Sequence, residues 1–296
     1  MQSEPSARTG TIPTGLHIAT SGYYYKDWIG PVYPPGTDPR QFLELYSSMF
    51  DWTEINATYY RQPEASHLAA MLQTAVSVNP RFFFSVKAHR SLTHQHSPDS
   101  TRSQLSHAVD IFRRGIEPLC QADALGAVLL QFPYSFHYTP HNRQALDQLL
   151  SLMQELPLAV ELRGSDWNRT SVKNGLQQRG ATPVLVDQPE LKGLFPSGPK
   201  QDIQPGEPAP TEQKPGYIRL HGRNAANWWT GSNVSRYDYL YSQQELQEWV
   251  PLIKSLQQTC RTLLIAFNNH ASGKAVQNAR QLQEMVFSSS DRKTAP

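Results

Sequence analysis

A chain of 296 residues with 39% hydrophobic and 18% charged residues holds enough apolar material for a globular core, which excludes a globally disordered polypeptide. Its 27 Lys and Arg against 25 Asp and Glu leave a formal charge of +2, too small for a protein coated in positive charge for sequence-independent nucleic-acid binding. No run of about 18 apolar residues occurs, so no transmembrane helix is expected.

In chain order, residues 1–15 read as a polar, flexible arm without the apolar segment of a secretory signal, which makes the cytoplasm the expected location. From Leu16 onward, short β-branched and aromatic runs alternate with stretches of helical period, the pattern of βα units on a parallel sheet. The first predicted strand is Leu16–Ser21, followed by a helix over Gln41–Phe50. Strand Thr53–Thr58 precedes helix Glu64–Val76, and strand Phe82–Ala88 precedes helix Gln104–Cys120. Strand Ala127–Phe132 leads to helix Asn142–Glu155, and Leu158–Leu162 and Pro183–Val186 follow as strands five and six. Phe195–Pro215, rich in Pro, Gly, Gln and Glu, replaces most of the helix expected next and reads as an insertion loop. Strand Tyr217–His221 then precedes helix Gln243–Leu256, whose Ser242 and Glu245 fit a capping box. Strand Thr262–Asn268 and helix Lys274–Val286, starting near Ser272 or Gly273, close the pattern before a tail over 288–296. Eight strands in this alternation predict one α/β domain over 16–287, a (β/α)8 TIM barrel with a Pro-rich insertion between strands six and seven. Cys120 and Cys260 lie far apart, outside any metal-ligand spacing, and read as reduced thiols.

Alternate residues of a barrel strand point inward. At the carboxyl ends of five strands the two alternating sets differ in chemistry. Ser85, Lys87 and His89 alternate with Val86 and Ala88; Glu161 and Arg163 with Val160 and Leu162; Arg219 and His221 with Ile218 and Leu220. Strand eight places Ala266, Asn268 and His270 together with Phe267 opposite, and Glu54, Asn56, Thr58 and Tyr60 alternate with Ile55 and Ala57. The implied inner mouth holds Asn56, Lys87, His89, Glu161, Arg163, Asp187, Arg219, His221, Arg223 and Asn268, at the end of the fold where active sites sit. Either these groups form a structural ion-pair network or they meet a ligand. Cations outnumber carboxylates there, which points to a phosphate or carboxylate ligand held by guanidinium forks. Tyr23–Tyr25, Trp28, Tyr59, Tyr60, Trp228 and Trp229 lie in loops on the same face, where flat rings suit stacking. A divalent metal on Glu161, Asp187 and His221 is the competing arrangement, and His94 and His96 with Asp99 form a local pair on a loop.

Seven motifs in order resemble the YecE-like family of domain of unknown function seventy-two: SGYYYKDWIG, EINATYY, FSVKAHR, LLQFP, AVELRGSDW, YIRLHGR and FNNHASGKAVQNA. The resemblance spans about Leu16 to Val286 and implies a TIM-barrel fold without supplying a reaction. Residue by residue it points to Asn56, Lys87, Glu161, Arg163, Arg219, His221, Asn268, Asn269 and His270. Gly164 stands where the family pattern leads one to expect a histidine.

The leading expectation is an enzyme acting on a small anionic substrate, with no required cofactor. Glu161 would be the general acid/base, His221 a second proton carrier, and Lys87 would join them beside the anion. Arg163, Arg219 and Arg223 would hold the anion, with Asn56, Tyr59, His89, Asn268, Asn269, His270 and Trp28 completing the substrate wall. Two alternatives stay open: a metal-assisted phosphodiesterase or nucleic-acid repair hydrolase, and a non-catalytic ligand-binding module. No membrane partner is expected, and the sequence leaves the oligomeric state undetermined.

Overall fold

The computed structural model describes residues 13–94, 102–199 and 215–288. Most of the N-terminal arm and C-terminal tail, residues 200–214 of the Pro-rich stretch, and His96 with Asp99 lie outside the described residues.

Strands form where the apolar runs predicted them: β1 (Gly15–Thr20), β2 (Trp52–Ile55), β3 (Phe83–Lys87), β4 (Leu125–Gln131) and β5 (Leu158–Glu161). They continue with β6 (Ala181–Pro183), β7 (Leu185–Asp187), β8 (Gly216–Leu220) and β9 (Thr262–Phe267). Every named pairing is parallel. One sheet runs β1-β9-β8-β7 and the other β2-β3-β4-β5-β6. Parallel strands need crossovers, and the intervening helices cover one face of each sheet. A strand such as β4, LGAVLLQ, is therefore buried along its whole length.

The expected sixth strand is divided. Pro183 has no N–H for the ladder, so β6 pairs with β5 through Val160↔Pro183, whereas β7 pairs with β8 through Leu185↔Ile218. Val184, between the two pieces, still donates its N–H to the Val160 carbonyl at 2.9 Å. The other borders of the sheets meet at Ser21 and Glu54, which form a parallel bridge, and the Gly22 N–H donates to the Glu54 carbonyl at 2.8 Å.

The two sheets enclose a common interior. Trp52 of β2 meets Tyr217 of β8 edge-on at 6.1 Å and stacks with Phe83 of β3 at 6.1 Å. These three side chains are fully buried and floor the space beneath the strand ends. Outside, helix Ala65–Val78 buries Leu68, Met71 and Ala75, and helix Arg102–Gln121 buries Val109, Phe112, Ile116 and Leu119. Those three- and four-residue steps are the apolar stripe of a surface helix. Each Leu, Val, Ile, Met or Phe among them contributes roughly 1.5–3 kcal/mol when fully buried. Helix Gln243–Thr259 starts at the expected capping box of Ser242 and Glu245. Helix Lys274–Ser288 begins just past the expected Ser272 or Gly273, because Ser272 takes a positive φ of 53°. Helix Thr170–Gln178 was not expected; its only buried residue is Leu176, which leaves no periodic stripe to read. The described start of the Pro-rich stretch packs back on the fold, with the Phe195 N–H donating to the Arg163 carbonyl at 2.8 Å. Among the described residues no helix is long and apolar enough to cross a membrane.

Candidate functional site

Inward alternation brings Glu54, Gln131, Glu161 and Arg219 together from β2, β4, β5 and β8. The Arg219 guanidinium, 1% exposed, donates to both Glu54 oxygens at 2.7 and 3.0 Å. Its Nη1 donates to Glu161 Oε2 at 2.5 Å and to Gln131 Oε1 at 3.1 Å. Tyr217 donates its hydroxyl to Glu54 at 2.8 Å, and the Ser21 hydroxyl donates to the same carboxylate. Two buried carboxylates thus share one guanidinium, an arrangement that holds only because each oxygen finds a donor. Burial pushes the Glu54 carboxyl up, but Arg219 and the Ser21 hydroxyl outweigh it and hold it below the ordinary range.

Glu161 uses its second oxygen on Arg163 at 3.3 Å and on His221 Nε2 at 3.2 Å. His221 Nδ1 lies 3.0 Å from the Asn268 amide, which donates to it and so leaves the ring proton on Nε2, facing Glu161. Burial pushes His221 down to about 4 against the opposing pull of Glu161, so the ring is neutral at physiological pH. Burial raises the Glu161 carboxyl, yet Arg219, His221 and Arg163 together hold it well below the usual carboxylate range. Glu161 is therefore a fixed anion with three polar partners, Arg163, Arg219 and His221, rather than a group that exchanges a proton near neutrality.

Above this ionic layer opens a cavity of about 1320 Å³, walled by Asn56, Lys87, Gln131, Arg163, Asn268 and His270. Tyr59, Tyr60, Tyr134, Trp228, Trp229 and Tyr237 form an aromatic rim, in which Tyr60 and Trp229 are exposed. Lys87 ends β3 with its ammonium 4.6 Å from the centre of the Tyr59 ring. Burial, reinforced by Arg219 and opposed by Glu161, lowers it to about 7. Tyr237 lies 3.5 Å from Arg163; burial raises its phenol, but Arg163 and Arg219 win and bring it below its ordinary value. Arg163 Nε, Asn56 Oδ1 and His270 Nδ1 are buried without a hydrogen-bond partner among the described residues. With His221 neutral, the ionic layer and inner wall carry Lys87, Arg163 and Arg219 against Glu54 and Glu161, and the outer lining adds Arg61 and Arg236 against Glu64.

Several expected residues lie elsewhere, for reasons of geometry. Asp187 pairs in register with Leu220, whereas Val186 pairs with inward-facing Arg219, so Asp187 faces the helices. There it accepts from Arg223 at 2.8 and 2.9 Å, from Tyr241 at 3.0 Å and from the Trp249 indole at 2.9 Å. Arg223 would share a face with Arg219 and His221 in a regular strand. Gly222, at φ 90°, breaks that alternation and turns Arg223 toward Asp187, Glu245 and Glu248. The proposed ligand set of Glu161, Asp187 and His221 is therefore not brought together. Among the described residues no group of three His, Cys, Asp or Glu side chains is placed to share a metal.

Asn269 is buried and donates to the Tyr239 carbonyl and to Asn278, both at 2.9 Å, away from the cavity. His89 folds back as a helix cap, its Nδ1 accepting from the Ser91 N–H at 3.2 Å. Trp28 is buried as well and supports the cavity from behind, donating to the His270 carbonyl at 2.7 Å. His221 sits beneath the wall rather than on it. Conversely, Glu54, Gln131 and Tyr237 belong to the site and were not singled out. Glu54 carried the right signal, since it shares the inward alternation with Asn56; Tyr237 sits in a loop without periodicity.

The family described as "Protein of unknown function DUF72" matches residues 17–296. A UPF0759 protein of Bacillus subtilis (strain 168), YunF, is 28% identical over 282 residues, covering 92% of this chain and 94% of that protein. The crystal structure of a DUF72 family protein from Thermotoga maritima is similar at a TM-score of 0.80 with 34% identity, covering 92% of this chain and 99% of that one. A DUF72 family protein from Enterococcus faecalis has a TM-score of 0.76 at 22% identity, covering 92% and 95%.

Proposed function

This chain belongs to the DUF72 family of proteins of unknown function, and we propose that it is an enzyme acting on a small phosphate- or carboxylate-bearing substrate inside the aromatic-rimmed cavity. One observation carries this reading: the cavity wall presents cationic groups with unused valence. Arg163 has an unpartnered buried Nε, and Lys87 has no carboxylate within ion-pair distance among the described residues. A buried network built only for stability saturates its donors. Arg163 and Lys87 both line the cavity, where a bound anion would be the partner they lack.

In this reading Arg163 holds the anion, with Arg219 contributing charge from beneath. Lys87, not Glu161, exchanges the proton, since its ammonium titrates near neutrality while Glu161 is held ionised. Glu161 and His221 orient Arg163 and Arg219. We further read the two sheets as one (β/α)8 barrel: the Ser21–Glu54 bridge and the continuous chain across Val184 support closure at both borders. The unpaired thiols Cys120 and Cys260 accord with a cytoplasmic protein.

The test is calorimetric titration with inorganic phosphate and oxalate at low ionic strength, followed by a turnover screen of phosphorylated and carboxylated metabolites. Arg163→Gln is expected to weaken anion binding at least about tenfold, the loss of one charge-assisted contact. Lys87→Met is expected to weaken anion binding less than Arg163→Gln does, while lowering turnover by about 10²–10⁴-fold. Anion affinity unchanged in Arg163→Gln, or full turnover in Lys87→Met, would sink the assignment.

A further inference from the structure

We infer that Lys87 acts as a covalent nucleophile, condensing as an imine with a small aldehyde or ketone that also carries a carboxylate or phosphate. This rests on the anion-binding reading above and names its substrate class.

Both buried glutamates of the site are committed to Arg219, and Glu161 also to Arg163 and His221. No carboxylate within ion-pair distance remains for Lys87 among the described residues; its neighbour is the Tyr59 ring. A lysine meant to hold an anion by charge alone needs a secure proton. Lys87 has the opposite surroundings: a desolvated stem and two nearby guanidinium charges that disfavour the ammonium, which brings it to about 7. A large fraction is then free amine at neutral pH, the state that attacks carbonyl carbon.

The same cavity supplies the other requirements. Arg163 lines the same cavity and offers its guanidinium charge to the substrate's anionic group, which would fix the carbonyl relative to the amine. The Tyr237 hydroxyl, 3.5 Å from Arg163 and lowered by it, is a proton carrier on the same wall.

The step balances without an oxidant or reductant. The ammonium gives up one proton, and its lone pair forms a C–N bond while the C=O π pair moves to oxygen, which takes that proton. The carbinolamine then loses a second nitrogen proton and expels its hydroxyl as water. That second proton goes to the departing hydroxyl, so water leaves as the nitrogen lone pair forms C=N, and the iminium results directly. The net change converts one ammonium and one carbonyl into one iminium and one water. The cationic C=N then withdraws electrons from the adjacent C–H or C–C bond, so the reaction class is bond cleavage or proton abstraction next to the former carbonyl.

The probe is glyoxylate, the smallest anionic aldehyde, applied to the full chain at neutral pH with cyanoborohydride to trap the imine as a carboxymethyl amine. Intact mass and peptide mapping report which lysine is modified. Lys87 is expected to label at least about tenfold faster than the other lysines, with a rate that rises through a midpoint near 7. Inorganic phosphate should protect it, Arg163→Gln should slow it, and Lys87→Arg should remove it while circular dichroism stays unchanged. If Lys87 labels no faster than surface lysines while phosphate still binds, the imine step is overturned and the anion-binding reading stands. If neither phosphate nor glyoxylate binds, the anion-binding reading falls and takes this inference with it.

Discussion

Two buried acid–arginine clusters lie on opposite faces of neighbouring strands, and they differ in how completely they are satisfied. On the helix side, Asp187 receives two bonds from Arg223, one from Tyr241 and one from Trp249, and Arg223 goes on to Glu245 and Glu248. That cluster is closed. On the interior side, Glu54, Glu161 and Arg219 are closed among themselves, but the next layer leaves Arg163 Nε and Asn56 Oδ1 without partners and Lys87 without an acid. Residue type does not distinguish these two clusters; the saturation of their charged groups does. A filled set of donors fixes a shape, whereas an unfilled set facing a cavity awaits a ligand.

The comparison breaks most decisively at Arg219. Replacing it with Met strands both Glu54 and Glu161 as buried anions, each having lost its main cation. Removing one partner of a buried ion pair typically costs about 3–5 kcal/mol, and two carboxylates depend on this one guanidinium. Urea denaturation should show at least that loss near neutral pH. A variant as stable as the parent would mean that the interior layer is not the electrostatic floor described.

Asp187→Asn tests the closed cluster at smaller cost. Tyr241 and Trp249 donate to different oxygens of Asp187, so the single amide oxygen keeps only one of them, and the amide N–H faces the other donor and one arm of the Arg223 fork. About 1–3 kcal/mol of stability should be lost. Phosphate affinity should stay unchanged, since the side chain faces the helices. A fall in affinity matching that of Arg163→Gln would show that the two clusters are not separate.

The sequence was informative where the two-residue period of a strand runs unbroken. Lys87, Glu161, Arg163 and Arg219 could be placed together because each alternates with buried apolar neighbours, and the motifs SVKAH, VELR and IRLH carry that pattern openly. The reading failed where the backbone interrupts the period. Gly222 turns the chain after β8, so Arg223 leaves the face that simple counting gives it; Asp187 keeps the outward phase of Pro183 and Leu185, so counting along the sixth predicted strand already places it toward the helices. Partner choice was also out of reach. That Glu54 and Glu161 converge on Arg219 depends on which strands face each other across the interior, and this lowered Glu161 from proton carrier to fixed anion. Tyr237 had no pattern at all, since a loop residue is placed by the packing of the loop.

The finest test of the open cluster is the pH dependence contributed by Lys87. Its ordinary value of about 10.4 in an unfolded chain falls to about 7 in the fold. Between these values the unfolded chain binds more protons, so stability rises with pH there. The cost of the buried ammonium is fully present below about pH 7 and is relieved progressively up to about pH 10. Lys87→Met lacks this cost, so its stability advantage over the parent should shrink as pH rises from about 7 to about 9. Because part of Lys87 faces the solvent-filled cavity, the change should be on the order of 1 kcal/mol rather than the full linkage value. The same change should appear when Asp187→Asn is the background, because the closed cluster shares no partner with Lys87 and separated sites add. A flat difference across that range would mean that Lys87 keeps its proton in the fold, and would remove the basis for its exchange of protons in the cavity.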